Sequence, residues 1–236
     1  MSQRLLLIDD NAHPGHINMY RDEFLFDHLR NKDSDDTILR FYSFDPPCLS
    51  LGRFQKHYNK KAALELGLEI VRRPTGGRAV IHKHEITYSL VFNWKNSIFS
   101  GNIRESYRKI SNVFCKAFRQ LGIPVELASI KKSDYQNKID CFVSPSYFEL
   151  ILNNSKIMGS AQLRKRDWCL QHGSLILKKE PIIYEKLFGR YEEYPDINID
   201  IEDFKETVIN AIKKEYDMDI VRYSFNDLIE EFSCEK

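Results

Sequence analysis

Between residues 68 and 177, on either side of one helical stretch, β-forming runs are joined by short polar turns, and this pattern most limits what the chain can fold into. Ile86, Tyr88, Leu90 and Phe92 alternate with Thr87 and Ser89. A period of two residues predicts a half-buried strand. Leu68 to Arg72, Ala79 to His82, Glu149 to Leu152, Lys156 to Gln162 and Trp168 to Leu177 read as further strands. Asn153-Asn154-Ser155 and Arg164 to Asp167 supply hairpin turns. Strands linked this way pair mainly antiparallel.

Around this core the sequence predicts two more strands before residue 52, Thr37 to Phe44 and Cys48 to Leu51, and a short one at Leu5 to Ile8. A helix is expected over Asn18 to Arg30, capped by Asn18, with Ile17, Tyr20, Phe24, Leu25 and Leu29 as its apolar stripe. A short one follows at Lys60 to Leu66. Asn102 to Leu121 is the clearest, with Asn102 and Glu105 spaced as a capping box and Gly122 as the stop. Its apolar face is Ile103, Tyr107, Ile110, Phe114, Phe118 and Leu121. Pro181 to Phe188, Ile201 to Tyr216 and Asp227 to Phe232 complete the set. The expected class is α+β, a mixed and largely antiparallel sheet packed by helices. No repeat or linker interrupts residues 1–236, which read as one domain.

Composition narrows the function. Of 236 residues 42% are hydrophobic and 29% charged, which excludes a disordered chain. A net charge of +1 gives no global field for nucleic acid. No apolar run approaches the roughly 18 residues of a membrane span. Asp9 and Asp10 cut short the apolar run that a secretion signal needs. Five single cysteines, at 48, 115, 141, 169 and 234, with no Cys-x-x-Cys, point to a reducing cytoplasm rather than to disulfides or a zinc knuckle.

Four segments can carry chemistry. In Arg72-Arg73-Pro74-Thr75-Gly76-Gly77-Arg78, two glycines let backbone N–H groups approach a ligand, and arginines suit an anion or carbonyl. An ordinary tight turn with solvated arginines is the other reading. Neither a Walker loop nor Gly-x-Gly-x-x-Gly is present. Lys156, followed by Gly159-Ser160-Ala161, is either a pocket cation or a solvent-facing edge residue. Cys141 is a loop cysteine that could act as a nucleophile or fill a small apolar site. His82 and His84, two apart, could share a face toward a metal, and His172 could join Cys141 in a dyad. Spacing fixes no third metal ligand, so no metal site is expected.

Together these segments resemble the lipoate-protein ligase A / octanoyltransferase family, relatives of biotin ligase. The resemblance rests on residues 49–55, Arg72 to His82, Glu85 to Ser89, Lys156 with Gly159 to Gln162, and Leu170 to Ser174, in that order. It implies the biotin/lipoate ligase catalytic-domain fold and a tunnel for an eight-carbon acyl chain. Arg73, Thr75, Gly76, Gly77, Arg78, His82, Gly159, Ser160, Ala161 and His172 would bind substrate, and Lys156 would meet the acyl carbonyl. One branch of octanoyltransferases works through a cysteine thioester, and its Cys-Phe-x-x-Pro-Ser-x-x-Glu-Leu pattern is similar to Cys141 to Leu150, with Lys156 fifteen residues after Cys141. Gly-Gly-Arg-Ala favours that branch too, and the chain leaves little room for a ligase's C-terminal accessory domain.

The resemblance therefore implies Cys141 and Lys156 as catalytic residues and octanoyl-acyl carrier protein as donor. The acceptor would be a lipoyl domain, on glycine cleavage H protein or a 2-oxoacid dehydrogenase subunit. No cofactor, nucleic acid or membrane is required. The alternatives are an ATP- and magnesium-dependent lipoate ligase and an amidotransferase between lipoyl domains.

Overall fold

A computed structural model describes residues 3–32, 34–128 and 148–234. A mixed six-stranded sheet forms the centre. Its strands are β1 (Arg4–His13), β2 (Thr37–Phe44), β6 (Glu85–Asn93), β10 (Met158–Lys165), β11 (Trp168–Ile176) and β12 (Asp219–Tyr223), in the order β10-β11-β6-β2-β1-β12. β1 runs parallel to both its neighbours, and the other pairings are antiparallel. Three short strands, β3 (Cys48–Leu51), β4 (Glu69–Arg72) and β5 (Val80–His82), make a second sheet. A third joins β7 (Glu126–Leu127), β8 (Leu150–Leu152) and β9 (Ser155–Lys156).

Six helices cover these sheets among the described residues: α1 (Gly15–Lys32), α2 (Lys60–Glu65), α3 (Ile103–Gln120), α4 (Pro181–Phe188), α5 (Ile201–Tyr216) and α6 (Phe225–Cys234). Leu5 and Leu7 of β1 pack with Ile110, Phe114 and Phe118 of α3 and Phe204 and Val208 of α5. Leu6 and Ile8 face the other way, toward Leu25, Phe26 and Leu29 of α1 and Leu228 of α6. A strand sandwiched like this is apolar on both faces, so β1 reads as a continuous run. α2 and α4 cover the second sheet. Among the described residues no helix is long and apolar enough to cross a membrane.

The capping box of α3 is present as expected: the Asn102 side chain accepts from the Glu105 N–H while Glu105 accepts from the Asn102 N–H. Asn153 and Asn154 take positive φ at the β8–β9 turn.

Several expectations need correction. Asn18 is no cap, because α1 starts three residues earlier and holds Asn18 inside, buried. The buried face of α1 is Asn18, Met19, Asp22, Leu25, Phe26 and Leu29, while Tyr20 is exposed. Two polar residues belong to that face, so an apolar count misplaces the stripe. Ile103 is likewise exposed. β6 is buried along both faces, since α1 covers the side that carries Thr87 and Ser89. Lys156 lies on β9 of the third sheet, not on the strand of Gly159. β5 ends at His82, and His84 turns out at φ 53° to meet Glu180 at 2.7 Å, so the two histidines share no face.

Candidate active site

The site is built from alternate residues of adjacent strands. In register, Arg40 lies beside Ser89 and Tyr42 beside Thr87; Ser89 lies beside His172 and Thr87 beside Ser174; His172 lies beside Ala161 and Ser174 beside Gly159. Residues two apart share a face, so one polar row crosses four strands beneath α1. The side chains of Met19, Tyr42, Phe44, Val80 and His82, with Gly159, Ala161, Gly173 and Ser174, line a narrow cleft over this row. Arg73, Thr87, Ser160 and His172 border it as well.

Asp22 of α1 anchors the row. Its carboxylate is fully buried and accepts from Arg40 Nη1 at 2.9 Å, Tyr42 Oη at 2.8 Å and Ser89 Oγ at 2.7 Å. Arg40, also fully buried, reaches Asp10 through Nε at 2.9 Å and Asn18 Oδ1 through Nη2 at 2.6 Å. Burial works to raise the Asp22 pKa, but hydrogen bonding from His172 and the charge of Arg40 outweigh it and hold the carboxyl below its usual range. His172 Nδ1 lies 3.1 Å from Asp22 Oδ2, and its Nε2 lies 2.5 Å from Thr75 Oγ1. An ionised carboxylate only accepts, so in the neutral ring Nδ1 donates to Asp22 and Nε2 accepts from the threonine hydroxyl. Carboxylate, imidazole and loop are joined in one chain.

His82 forms a second polar cluster. Its Nε2 meets Ser50 Oγ at 2.6 Å and its Nδ1 meets Ser174 Oγ at 3.2 Å, while the ring stacks on Phe44 with centroids 3.8 Å apart. Burial pulls its pKa down, against an opposing pull from Glu85. Thr87 donates to Glu85 in the same cluster.

The Arg-Arg-Pro-Thr-Gly-Gly loop owes its shape to hydrogen bonds with its own arginines. Arg73 Nη1 donates to Ser50 O at 2.7 Å and its Nη2 to Arg78 O at 2.7 Å. Arg72 Nη1 donates to Gly52 O at 2.7 Å and Gln55 O at 2.8 Å. Gly77 adopts φ 94°, and a Cβ on Gly52 would sit 1.9 Å from Gly77 O. Glycine at 52 is what lets the two segments close on each other. Gly76 and Arg78 are half-buried and Gly77 is exposed.

Ser160 borders the cleft, and its hydroxyl meets Tyr88 Oη at 2.8 Å. Lys156 is not solvent-facing. Its side chain is 4% exposed, and Nζ donates to Glu149 Oε1 at 2.7 Å. Cys141 lies outside the described residues. Asp22 and Arg40 were missed as site residues. The available signal was a carboxylate one turn from Met19, Leu25 and Phe26 in a helix, and an arginine in the middle of an apolar strand.

Residues 14–213 match the lipoyl protein ligase A/B catalytic domain. Octanoyltransferase LipM of Anoxybacillus flavithermus is 34% identical over 89% of this chain and 86% of its own. The chain belongs to the lipoyl protein ligase A/B catalytic-domain family. Another member, octanoyltransferase LipM of Carboxydothermus hydrogenoformans, is 42% identical over 77% of this chain, and the match spans 66% of that relative's length. For the Moorella thermoacetica protein of the same name the values are 41%, 72% and 64%. Solved structures share the family fold. A T. acidophilum lipoate protein ligase with bound lipoic acid superposes at TM-score 0.75 and 20% identity, covering 100% of this chain and 94% of that one. A lipoate-protein ligase A bound with ATP gives 0.71 and 19%, with the same coverage.

Proposed function

We propose that this protein is an octanoyltransferase, moving an octanoyl group from acyl carrier protein to the lysine of a lipoyl domain such as glycine cleavage H protein or a 2-oxoacid dehydrogenase subunit. The observation that carries the reading is the similarity, at 34 to 42% identity over most of the chain, to proteins named octanoyltransferase LipM. A cleft with Met19, Tyr42, Phe44 and Val80 on its walls and small residues along β10 supports it, since an acyl chain needs a narrow apolar channel.

In this reading the Cys141 thiolate attacks the thioester carbonyl. A C–S bond forms to Cys141, the C–S bond to the carrier breaks, and the carrier leaves as its thiol after taking a proton. The acceptor amine then attacks the acyl-enzyme. A C–N bond forms, the C–S bond to Cys141 breaks, and the attacking nitrogen loses one proton, which the departing thiolate or solvent takes up. Thioester to amide is downhill, so the reaction needs neither ATP nor a metal. Lys156 supports the step by offering a cation to the thiolate and to the developing oxyanion. Its burial against Glu149 favours that role over the solvent-facing one, because a buried lysine is kept only with a paired charge.

The test is intact mass after mixing the protein with octanoyl-acyl carrier protein in the absence of ATP. One octanoyl adduct, removed by hydroxylamine and missing in Cys141→Ala, is the expected result. No adduct, together with ATP-dependent pyrophosphate release in the presence of lipoate, would replace the transferase by a ligase.

A further inference from the structure

Residues 46–64 contain Arg53, Lys56, Lys60 and Lys61 and no carboxylate. At the tip of this segment Phe54 is 80% exposed, the most exposed large apolar side chain among the described residues. The Arg53 guanidinium lies 5.5 Å from its ring centroid. Arg53, Lys56 and Lys60 are exposed, and among the described residues none of them has an ion pair, whereas Lys61 lies 3.8 Å from Glu65. On the neighbouring strand β4 the carboxylate of Glu69 is occupied by the N–H of Gly15 and by His16.

The knob is held firmly. Arg72 ties down the carbonyls of Gly52 and Gln55 from below, and Arg53 N donates to Thr75 O at 2.8 Å. Thr75 in turn holds His172 on the cleft wall. The backbone that carries the exposed phenylalanine is therefore tied to the Thr75 loop, which reaches the cleft through His172. An exposed aromatic on a segment of exposed cations with no ion pair among the described residues suits an interface with an acidic partner.

The other basic cluster lacks these features. Arg164 is turned inward to Gly101 O at 3.0 Å and Ser106 Oγ at 2.8 Å, and Asp167 is paired with Lys95 at 2.7 Å.

We infer that Arg53, Phe54, Lys56 and Lys60 form the docking surface for the acidic carrier protein that delivers the acyl thioester. The inference rests on the octanoyltransferase reading for the identity of that carrier. A carrier presents its acyl group on a long flexible arm, so its body can rest on residues 53–60 while the arm enters past the Thr75 loop, to which Arg53 N is hydrogen-bonded; the lipoyl-domain KM measured below separates this donor from the acceptor.

The experiment compares octanoyl-acyl carrier protein with octanoyl-pantetheine, the arm without its protein, in wild type, Phe54→Ala and the double variant Arg53→Glu/Lys56→Glu. Carrier binding is also measured directly by calorimetry. The double variant should raise the KM for the carrier substrate about tenfold or more, and should weaken carrier binding in parallel. Phe54→Ala should raise that KM about fivefold. The kcat, the use of octanoyl-pantetheine and the KM for the lipoyl domain should stay within about twofold. Unchanged carrier KM, equal losses with both donors, or a rise confined to the lipoyl-domain KM would overturn the assignment. Wild-type protein that binds the carrier through these residues without turnover would keep the docking surface and remove the transferase reading. Wild-type protein that neither binds nor uses the carrier would remove both.

Discussion

Replacing Arg40 by methionine tests the charge network under the cleft. The guanidinium makes three short hydrogen bonds, to Asp10 at 2.9 Å, Asp22 at 2.9 Å and Asn18 at 2.6 Å, and stacks 3.8 Å from the Tyr42 ring centroid. Methionine keeps much of the volume but leaves the fully buried Asp22 carboxylate without its guanidinium, while Asp10 keeps Arg21 at 2.6 Å. Breaking a buried pair from one side costs about 3–5 kcal/mol, roughly a few hundred-fold to several thousand-fold in the folding equilibrium. Urea unfolding at pH 7.5 should show that loss.

The pH dependence gives the second readout. In the wild type Asp22 is held below its ordinary pKa. Its contribution to stability is therefore present above the unfolded carboxylate range and lost as pH falls through the folded value. Without the guanidinium, burial should push the same carboxyl upward, past its unfolded value. The variant then loses stability as pH rises, and its deficit against wild type should shrink between pH 7.5 and pH 5. A deficit below about 1 kcal/mol, or one that does not change with pH, would refute the claim that Arg40 compensates a buried ionised Asp22.

Three further outcomes are expected from the structure. Burial pushes the Cys169 thiol up to about 12 and raises Cys48 and Cys115 as well, so iodoacetamide at pH 7 should label Cys141 well before these three, as read by peptide mass spectrometry. Lys156→Ala should slow Cys141 alkylation at neutral pH and shift its profile toward higher pH; an unchanged profile would remove the proposed influence of Lys156 on the thiol. A Cβ on Gly173 would meet Ser160 Oγ at 2.3 Å and Tyr88 Cε1 at 2.7 Å, so Gly173→Ala should cost about 1–3 kcal/mol in chemical denaturation and weaken octanoyl transfer through a displaced β10.

How much of this was legible in the sequence depends on the range of the interaction. The capping box at Asn102, the turn at Asn153-Asn154 and the strand at Thr37–Phe44 are set by neighbours a few residues away, and they were readable. Strand β12 was not read. It is a short edge strand whose existence depends on pairing with Arg4 to Ile8, more than two hundred residues earlier. The alternation in β6 was visible, but its polar half reads as solvent-facing until α1 is laid over it.

The same division governs the site. The resemblance to the ligase and transferase family marked the Thr-Gly-Gly loop, the Gly-Ser-Ala run and His172 as belonging together; the residues alone left the loop open to an ordinary turn and the lysine beside the Gly-Ser-Ala run open to a solvent-facing edge. Only the tertiary structure decided that Lys156 is buried against Glu149, that Ser160 faces Tyr88, and that Asp22 and Arg40 underlie the cleft. A charged or polar side chain has the same local sequence signature exposed or buried, and its fate is set by which distant partner the fold brings within hydrogen-bond distance.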